Sequence, residues 1–264
     1  MDINLLLGYI GAFFIGIILG LIGGGGSILT VPILVYLLHI NPVTATGYSL
    51  FVVGTSSLTG ALINMRKKLV EIKVGVVFAF PAFVVVYLMR RFVIPTIPNS
   101  LFYIGSYEVT KDIAIMVFFA IVMLITSISM LTNKRENIIT QVTSYQYHIL
   151  FLEGILVGVI AGLVGAGGGF LIIPALVLFA KLPMKKAVAT SLLIISINSL
   201  IGFMGDVATL DIDWNFLLLF SAIAVVGIFI GSYLTNFIPP KKLKKGFGWF
   251  VLLMGIYILI KELW

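Results

Sequence analysis

The sequence predicts an all-α polytopic membrane protein made of two inverted repeats, each with a glycine-broken helix pair plus three transmembrane helices. Three observations predict this fold: 61% of the 264 residues are hydrophobic and only 10% are charged, long apolar runs follow one another, and two glycine clusters recur at a fixed spacing. A soluble domain carries about 45–50% apolar and about 25% charged residues. This composition therefore excludes a soluble enzyme, a nucleic-acid-binding module and a secreted scaffold.

The apolar runs are predicted to be helices, because hydrocarbon admits only helices or closed barrels and the runs lack the alternation of barrel strands. In the first half they cover 5–22, 27–38, 44–64, 70–94 and 112–131. In the second half they cover 148–164, 170–180, 187–205, 214–237 and 246–262. The second run of each half is short: at about 1.5 Å per residue it spans only about half of a bilayer core of about 30 Å.

An internal repeat relates the two glycine clusters. Shifting the chain by 142 positions pairs Gly20–Ser27 with Gly162–Gly169 and gives 17 identities in the 49 positions of Gly16–Asn64. Matching Gly, Pro and Ser residues at one offset are much harder to obtain by chance than matching apolar residues. The chain is therefore predicted to contain two homologous halves.

Charge indicates how the two halves are oriented. Cytoplasmic loops in general carry an excess of Lys and Arg. The basic loop of the first half, 66–73, follows its third apolar run, whereas the basic loop of the second half, 181–186, follows its second run. Opposite orientations of the halves put 13 of the 17 Lys and Arg residues inside and 4 outside, the four being Arg90, Arg91, Lys111 and Lys261. We therefore expect inverted repeats at 1–132 and 148–264, a cytoplasmic connector at 133–147, and both termini outside.

Each glycine cluster is predicted to break a helix at membrane depth, because each Gly costs about 1 kcal/mol relative to Ala in a helix. A new helix then begins, and its first N–H groups have no partner within the helix and can bind an anion. Inverted repeats would bring the two ends toward one midplane site. The backbone predicted to bind substrate is that of Gly24, Gly25, Gly26, Ser27, Gly167, Gly168 and Gly169. The alternative is that the glycines serve close helix packing, as we expect for Gly16, Gly20, Gly158 and Gly162.

Polar side chains on the following helices extend the predicted site. A hydroxyl can donate to an oxyanion without carrying charge, and a buried amide needs several partners. The side chains predicted to bind substrate are Ser49, Ser56, Ser57, Ser191, Asn198 and Ser199. The alternative for each hydroxyl is a bond to a carbonyl of its own helix or of a neighbouring helix.

Ionisable residues are scarce in the predicted spans. We interpret His148, Glu153 and Asp206 as boundary residues near the ends of their segments. A proton relay or a cation site normally places carboxylates at depth, so we expect an anionic substrate, no metal site and no cofactor. The sequence contains no G-x-x-x-x-G-K-[ST] phosphate loop, and we expect neither enzymatic activity nor nucleic-acid binding.

The glycine motifs resemble those of a known family. The chain carries G-x-x-x-G-L-I-G-G-G-G-S-x-x-x-x-P, the related G-x-x-x-G-L-V-G-A-G-G-G-F-x-x-x-P, and a downstream A-T-S-L. Together with the length and the duplication, these motifs resemble the sulfite exporter TauE/SafE family, also called the toluene sulfonate uptake permease family. The resemblance implies a prokaryotic inner-membrane permease for sulfur-containing anions such as sulfite, sulfonates, sulfoacetate or thiosulfate. Because Ser27 corresponds to Gly169 and Ala166 replaces a glycine, the two half-sites are expected to be chemically unequal.

Two functions from different classes fit this sequence. The first is a secondary permease or exporter of small sulfur-containing anions, bound at the midplane between the glycine-rich helix breaks. The second is a non-transporting membrane assembly or partner-binding subunit, in which the glycines serve helix packing. The partners expected for the first function are a small anionic substrate and the lipid bilayer, and the sequence leaves the exact anion, the direction, the coupling ion and the oligomeric state open.

The charge distribution makes a testable prediction about topology. The loops at 66–73, 132–147, 181–186 and 241–245 are expected to be cytoplasmic, and 206–213 is expected outside. Because the chain has no Cys, an Asp211→Cys variant offers a single site for a membrane-impermeant thiol reagent. The reagent is expected to label this site from the outer side, and labelling from the cytoplasmic side alone would contradict the topology.

Overall fold

The computed structural model describes residues 3–24, 26–104, 107–132, 147–165, 168–178, 180–235, 237 and 240–263. All of the predicted connector except Tyr147 lies outside the described residues, as do Gly25 and Gly167 of the predicted site.

The helices of the first half follow its apolar runs. They are α1 (Ile3–Ile22), α2 (Ser27–Pro32), α3 (Pro42–Arg66), α4 (Ile72–Leu88), α5 (Ile94–Thr96) and α6 (Lys111–Thr132). Wider π-helical turns extend α2 over Ile33–Leu37 and join α4 to α5 over Met89–Val93. An antiparallel hairpin of β1 (Ser100–Ile104) and β2 (Tyr107–Thr110), which the run of helices did not predict, precedes α6.

The helices of the second half are α7 (Tyr147–Val164), α8 (Gly169–Leu178), α9 (Met184–Asp206), α10 (Trp214–Leu234) and α11 (Pro240–Leu263). Within the described ranges, six helices are long and apolar enough to cross a membrane, and Ile28–Leu37 and His148–Val164 are shorter apolar helices. Large apolar side chains such as Leu218 and Phe229 are each 54% exposed, as lipid-facing surfaces require. The all-α polytopic fold class is confirmed.

The main helix pairs join one half of the chain to the other. α1 packs along α10 and α7 packs along α4, while α3 packs on α9 and α6 packs on α11. Under the repeat, α1 corresponds to α7 and α10 to α4, so the α1–α10 pair in one half of the pattern corresponds to the α7–α4 pair in the other. The α3–α9 and α6–α11 pairs each join a helix to its own counterpart. The contacts therefore have the two-fold pattern that a pair of repeats would produce.

Backbone details recur at the same offset of 142 that the sequence shows. Gly23 and Gly165 both adopt a left-handed conformation, with φ of +81° and +70°. Each donates its N–H to the carbonyl four residues earlier, at 2.7 Å and 2.9 Å. His39 and Lys181 are the matching left-handed residues at the ends of the short segments.

The paired helices α3 and α9 run antiparallel. Gly47 lies against Asp206, while Gly54 lies against Leu200, so positions further along α3 meet positions earlier in α9. Antiparallel packing of equivalent helices is what inverted repeats predict. The inverted relation and the boundaries at 1–132 and 148–264 stay predictions that this packing supports.

Glycines bring the parallel pairs α1–α10 and α4–α7 into backbone contact. A Cβ added to Gly16 would overlap the carbonyl oxygen of Ala224, and one added to Gly158 would lie 2.7 Å from that of Ala82. Ala224 and Ala82 are themselves 142 positions apart. These glycines therefore serve close packing between helices, at equivalent places in the two halves.

Replacing either packing glycine should lower the stability of the detergent-solubilised protein. We expect Gly16→Ala and Gly158→Ala each to cost about 1–3 kcal/mol, the usual cost of overpacking, measured by thermal or denaturant unfolding. Gly246→Ala is the matched control, because nothing lies within 4 Å of an added Cβ there. Equal stability of all three variants would contradict the packing role.

Candidate functional site

The two glycine runs meet backbone to backbone. A Cβ on Gly24 would overlap the carbonyl group of Gly169, and a Cβ on Gly169 would lie 2.7 Å from Cα of Gly24. Both residues are buried. Two helix breaks from opposite halves of the chain therefore share one junction, and the absence of side chains at this point permits it.

Each break also packs on the long helix of the other half. Gly23 lies against Val188 of α9, where an added Cβ would be 2.9 Å from the carbonyl oxygen. Gly165 lies in the same way against Thr46 of α3, where an added Cβ would be 2.5 Å from the carbonyl oxygen of Thr46. The positive φ of both glycines and these close approaches each disfavour a side chain. A substitution in either break would therefore disturb the fold as well as any ligand.

Helix α8 begins at this junction. Its first residue is Gly169, and the carbonyl oxygen of Gly168 accepts from N–H of Leu171 at 2.9 Å and of Ile172 at 3.1 Å. The positive end of the α8 dipole therefore lies where the two breaks meet. On the other side, N–H of Leu29 donates to Gly26 at 3.1 Å in the equivalent bond.

The six polar side chains predicted for the site are all buried. Ser49, Ser56, Ser57, Ser191, Asn198 and Ser199 each have 0% exposed area. Ser191 donates to the carbonyl oxygens of Val188 at 2.8 Å and Gly23 at 3.3 Å. Its hydroxyl therefore holds α9 against the first glycine break through a hydrogen bond.

The other five polar side chains have unused hydrogen-bonding capacity. Among the described residues, no partner is found for the hydroxyls of Ser49, Ser56, Ser57 and Ser199 or for either amide atom of Asn198. A buried donor or acceptor without a partner costs about 1–3 kcal/mol. Such groups are rare in folded proteins and call for a specific explanation.

Part of this polar set lies next to the junction of the glycine runs. A Cβ on Gly169 would lie 2.5 Å from Cδ1 of Ile195 on α9. Asn198 and Ser199 are three and four residues further along the same helix, and residues at these spacings share a helix face. The unpartnered amide and hydroxyl are therefore about one turn from the junction.

Ser56 and Ser57 occupy the positions of α3 that match Asn198 and Ser199 at the offset of 142. The two helices run antiparallel, and Gly54 lies against Leu200. The equivalent polar pairs of the two halves therefore occur at the same level of the α3–α9 contact.

Asp206, interpreted from sequence as a boundary residue, is almost fully buried, at 2% exposed. It forms an ion pair with Arg90, whose Nη1 lies 3.3 Å from Oδ2, and Nη1 also donates to Oγ1 of Thr46 at 3.0 Å. Sequence reasoning missed Arg90, which it counted among the outside charges. The sequence feature that could have identified Arg90 is its position inside the membrane-spanning stretch Ile72–Thr96, because a charge within such a stretch indicates a function.

The other two boundary residues differ from each other. His148 is exposed at the start of α7, whereas Glu153 is half-buried and its Oε2 has no partner among the described residues. In the described ranges, no group of three or more His, Cys, Asp or Glu side chains is arranged to hold a metal ion.

Comparison with known proteins gives consistent matches. Residues 8–258 match the family model described as Sulfite exporter TauE/SafE. The chain is 28% identical to "Probable membrane transporter protein YunE" of Bacillus subtilis, covering 94% of this chain and 95% of that protein. It is also 28% identical to a "Probable membrane transporter protein" of Xylella fastidiosa, covering 93% and 91%. No solved structure matches significantly.

The unpartnered amide of Asn198 makes a prediction about stability. Asn198→Leu removes a buried amide without partners at similar volume, so we expect the unfolding free energy in detergent without added ligand to rise by about 1–3 kcal/mol. Asn64→Leu is the matched control, because its amide donates to the carbonyl oxygen of Gly60 at 2.8 Å, and we expect it to gain no stability. A destabilised Asn198→Leu would mean that the amide serves the fold.

Proposed function

We infer that this chain, which belongs to the sulfite exporter TauE/SafE family, carries a small sulfur-containing anion across the membrane. The chain is a multi-pass membrane transporter and not an enzyme. The proposed substrates are sulfite, a sulfonate, sulfoacetate or thiosulfate, and the proposed location is a prokaryotic inner membrane with both termini outside.

The observation that carries the proposal is the set of unpartnered polar side chains beside the glycine junction. Ser56, Ser57, Asn198 and Ser199 are fully buried and lack partners among the described residues. A ligand that accepts hydrogen bonds would satisfy the hydroxyls and the amide nitrogen, and so offset the cost of their burial. A substrate-binding role explains these groups better than a packing role does.

The chemistry of the donors favours an anion. Serine hydroxyls, an amide N–H₂ and the first N–H groups of α8 can all donate to an oxyanion without carrying net charge. The oxygens of sulfite or of a sulfonate are acceptors grouped around one small centre. Glycine backbone lets such a compact group come close to the peptide N–H groups.

The site is closed in the described conformation. The polar side chains of α3 and α9 have no exposed area, and Gly24 packs directly on Gly169. Transport would therefore require the two glycine runs to separate, or α3 and α9 to shift, so that the site opens to one side at a time. Broken helices at a repeat interface are the usual moving parts of secondary transporters.

The alternative of a non-transporting assembly subunit explains only part of the structure. Backbone contact between Gly24 and Gly169 satisfies a packing role. Packing does not explain why both amide atoms of Asn198, about one helical turn from this contact, have no partner among the described residues. The transport proposal explains both features.

Flux of labelled sulfite into proteoliposomes tests the proposal. The purified protein is expected to accelerate uptake over empty vesicles, with thiosulfate and a short alkyl sulfonate as competitors. Ser56→Ala and Ser57→Ala should each weaken sulfite binding by about 0.5–1.5 kcal/mol, the usual net value of one hydrogen bond.

Ser127→Ala is the matched control for these variants. Its hydroxyl is also buried, but it donates at 2.9 Å to the carbonyl oxygen of Gly248 in the α6–α11 pair. It should lose stability and keep sulfite affinity. Sulfite binding that is equal in Ser56→Ala, Ser57→Ala and the unmodified chain would exclude these hydroxyls from the site, and an absence of flux would favour the assembly subunit.

A further inference from the structure

We propose that Arg90 forms a charged oxyanion subsite against the second glycine break, and that Asp206 is the internal counter-ion with which the transported anion competes. This inference rests on the proposed function, because it assigns a second group of the protein to the same substrate class. It adds a positive charge to a site that was predicted to contain only uncharged donors.

The burial of Arg90 is the first observation. The side chain is 0% exposed and is the largest fully buried side chain in the described chain. A guanidinium inside a membrane-spanning segment needs compensation by an acceptor or by an opposite charge. Asp206 supplies the charge and Thr46 supplies one acceptor, and both act on Nη1 alone.

The second observation is that most of the guanidinium remains unused. Nε and Nη2 are buried and have no partner among the described residues. These two nitrogens form one edge of the planar group, which matches two oxygens of a carboxylate, phosphate or similar oxyanion. The contact that Asp206 makes is on the other nitrogen and leaves this edge available.

The third observation is where that edge lies. A Cβ added to Gly165 would be 2.5 Å from Nη2 of Arg90. Gly165 is the left-handed glycine of the second break. The unpartnered edge therefore lies beside the glycine run, so an oxyanion held there would be within reach of both charge and backbone.

The charged pair, which takes one residue from each half, lies at the second glycine break and has no counterpart at the first. At the offset of 142, Ser232 corresponds to Arg90, while Asn64 corresponds to Asp206. The first glycine break therefore has no matching charged pair. In the predicted topology the charged pair lies toward the outside, where α9 ends near the loop 206–213, and we assign the subsite to the outward-facing part of the path.

Competition between the anion and Asp206 gives the pair a role in transport. An oxyanion on Nε and Nη2 neutralises the guanidinium and weakens its need for Asp206. When the anion leaves, the carboxylate compensates the charge again. The guanidinium charge is therefore compensated at every stage, either by the anion or by Asp206. This competition limits how tightly the site binds its substrate.

The competing explanation is a purely structural ion pair that fastens α9 to the end of α4. A structural pair would not change sulfite affinity when it is removed as a unit. The experiment therefore measures sulfite binding by titration calorimetry and thermal shift on the purified full chain, with thiosulfate and sulfate as further probes.

Asp206→Asn removes the competitor and keeps Arg90, so we expect sulfite to bind more tightly than to the unmodified chain. The double variant Arg90→Gln with Asp206→Asn removes both charges and leaves no buried ion alone. Relative to Asp206→Asn, we expect it to bind sulfite about tenfold to a hundredfold more weakly, as for the loss of hydrogen bonds to a charged group. Arg91→Gln is the matched control, since Arg91 is the adjacent cation in the same turn and is only half-buried, and we expect unchanged affinity.

Arg90→Lys covers the case in which the double variant does not fold. Lysine keeps the charge beside Asp206 but lacks the planar two-nitrogen edge, so sulfite binding should fall while thermal stability is retained. If the double variant binds sulfite as Asp206→Asn does, or if a folded Arg90→Lys binds as the unmodified chain does, the inference is wrong.

The failure of this inference can be told from failure of the proposed function. If the unmodified chain binds sulfite, Ser56→Ala weakens that binding and the Arg90 variants do not, only the charged subsite is refuted. If the unmodified chain binds none of sulfite, thiosulfate and sulfate and carries no sulfite flux, the proposed function fails and the subsite fails with it.

Discussion

The contact between the two glycine runs restricts how the helices around it can be arranged. Gly24 and Gly169 can touch only because neither has a side chain, and each run can turn only because Gly23 and Gly165 adopt a left-handed conformation. Broken backbone at membrane depth needs surrounding protein to satisfy it. The long helices α3 and α9 supply that protein, with Thr46 and Val188 placed against the breaks of the opposite half. The junction therefore couples the two halves through backbone contacts that tolerate little change.

Close packing and polar burial occur side by side in this protein and have opposite energetic consequences. The glycine faces of α1–α10 and α4–α7 bring whole helices together, which favours the folded state through dispersion contacts. The polar set of α3 and α9 works against stability, because hydroxyls and an amide are buried without partners among the described residues. Under the transport proposal, these groups are the ones that a bound substrate would satisfy. This contrast supports our proposal that the α3–α9 contact forms the site while the other helix pairs form the scaffold.

The two halves share part of their backbone geometry and differ in chemistry. Gly23 and Gly165 share a left-handed conformation and an equivalent N–H bond, whereas Gly168 has a φ of +69° and its counterpart Gly26 a φ of −69°. The ion pair of Arg90 and Asp206 takes one residue from each half and, among the described residues, lies beside the second break alone. Ser191 braces the first break through its carbonyl contact, whereas its counterpart Ser49 has no partner in the described chain. The repeat supplies a similar frame around both breaks, and substitutions within that frame make the surroundings of the two breaks chemically different.

The membrane-spanning class, the bounds of most helices, the internal offset and the positions of both helix breaks could all be predicted from the sequence. These features depend on composition and on sequence patterns, which can be recognised without knowing which segments are in contact. Which hydroxyls have partners could not be predicted in this way, because Ser49 and Ser191 occupy equivalent positions of the repeat but have different neighbours in the fold. The contacts also show that Arg90, counted from sequence among the four charges on the outer side, is a buried partner of Asp206. Both outcomes depend on which residues the opposite half brings into contact, and that information is not contained in the local sequence of either residue.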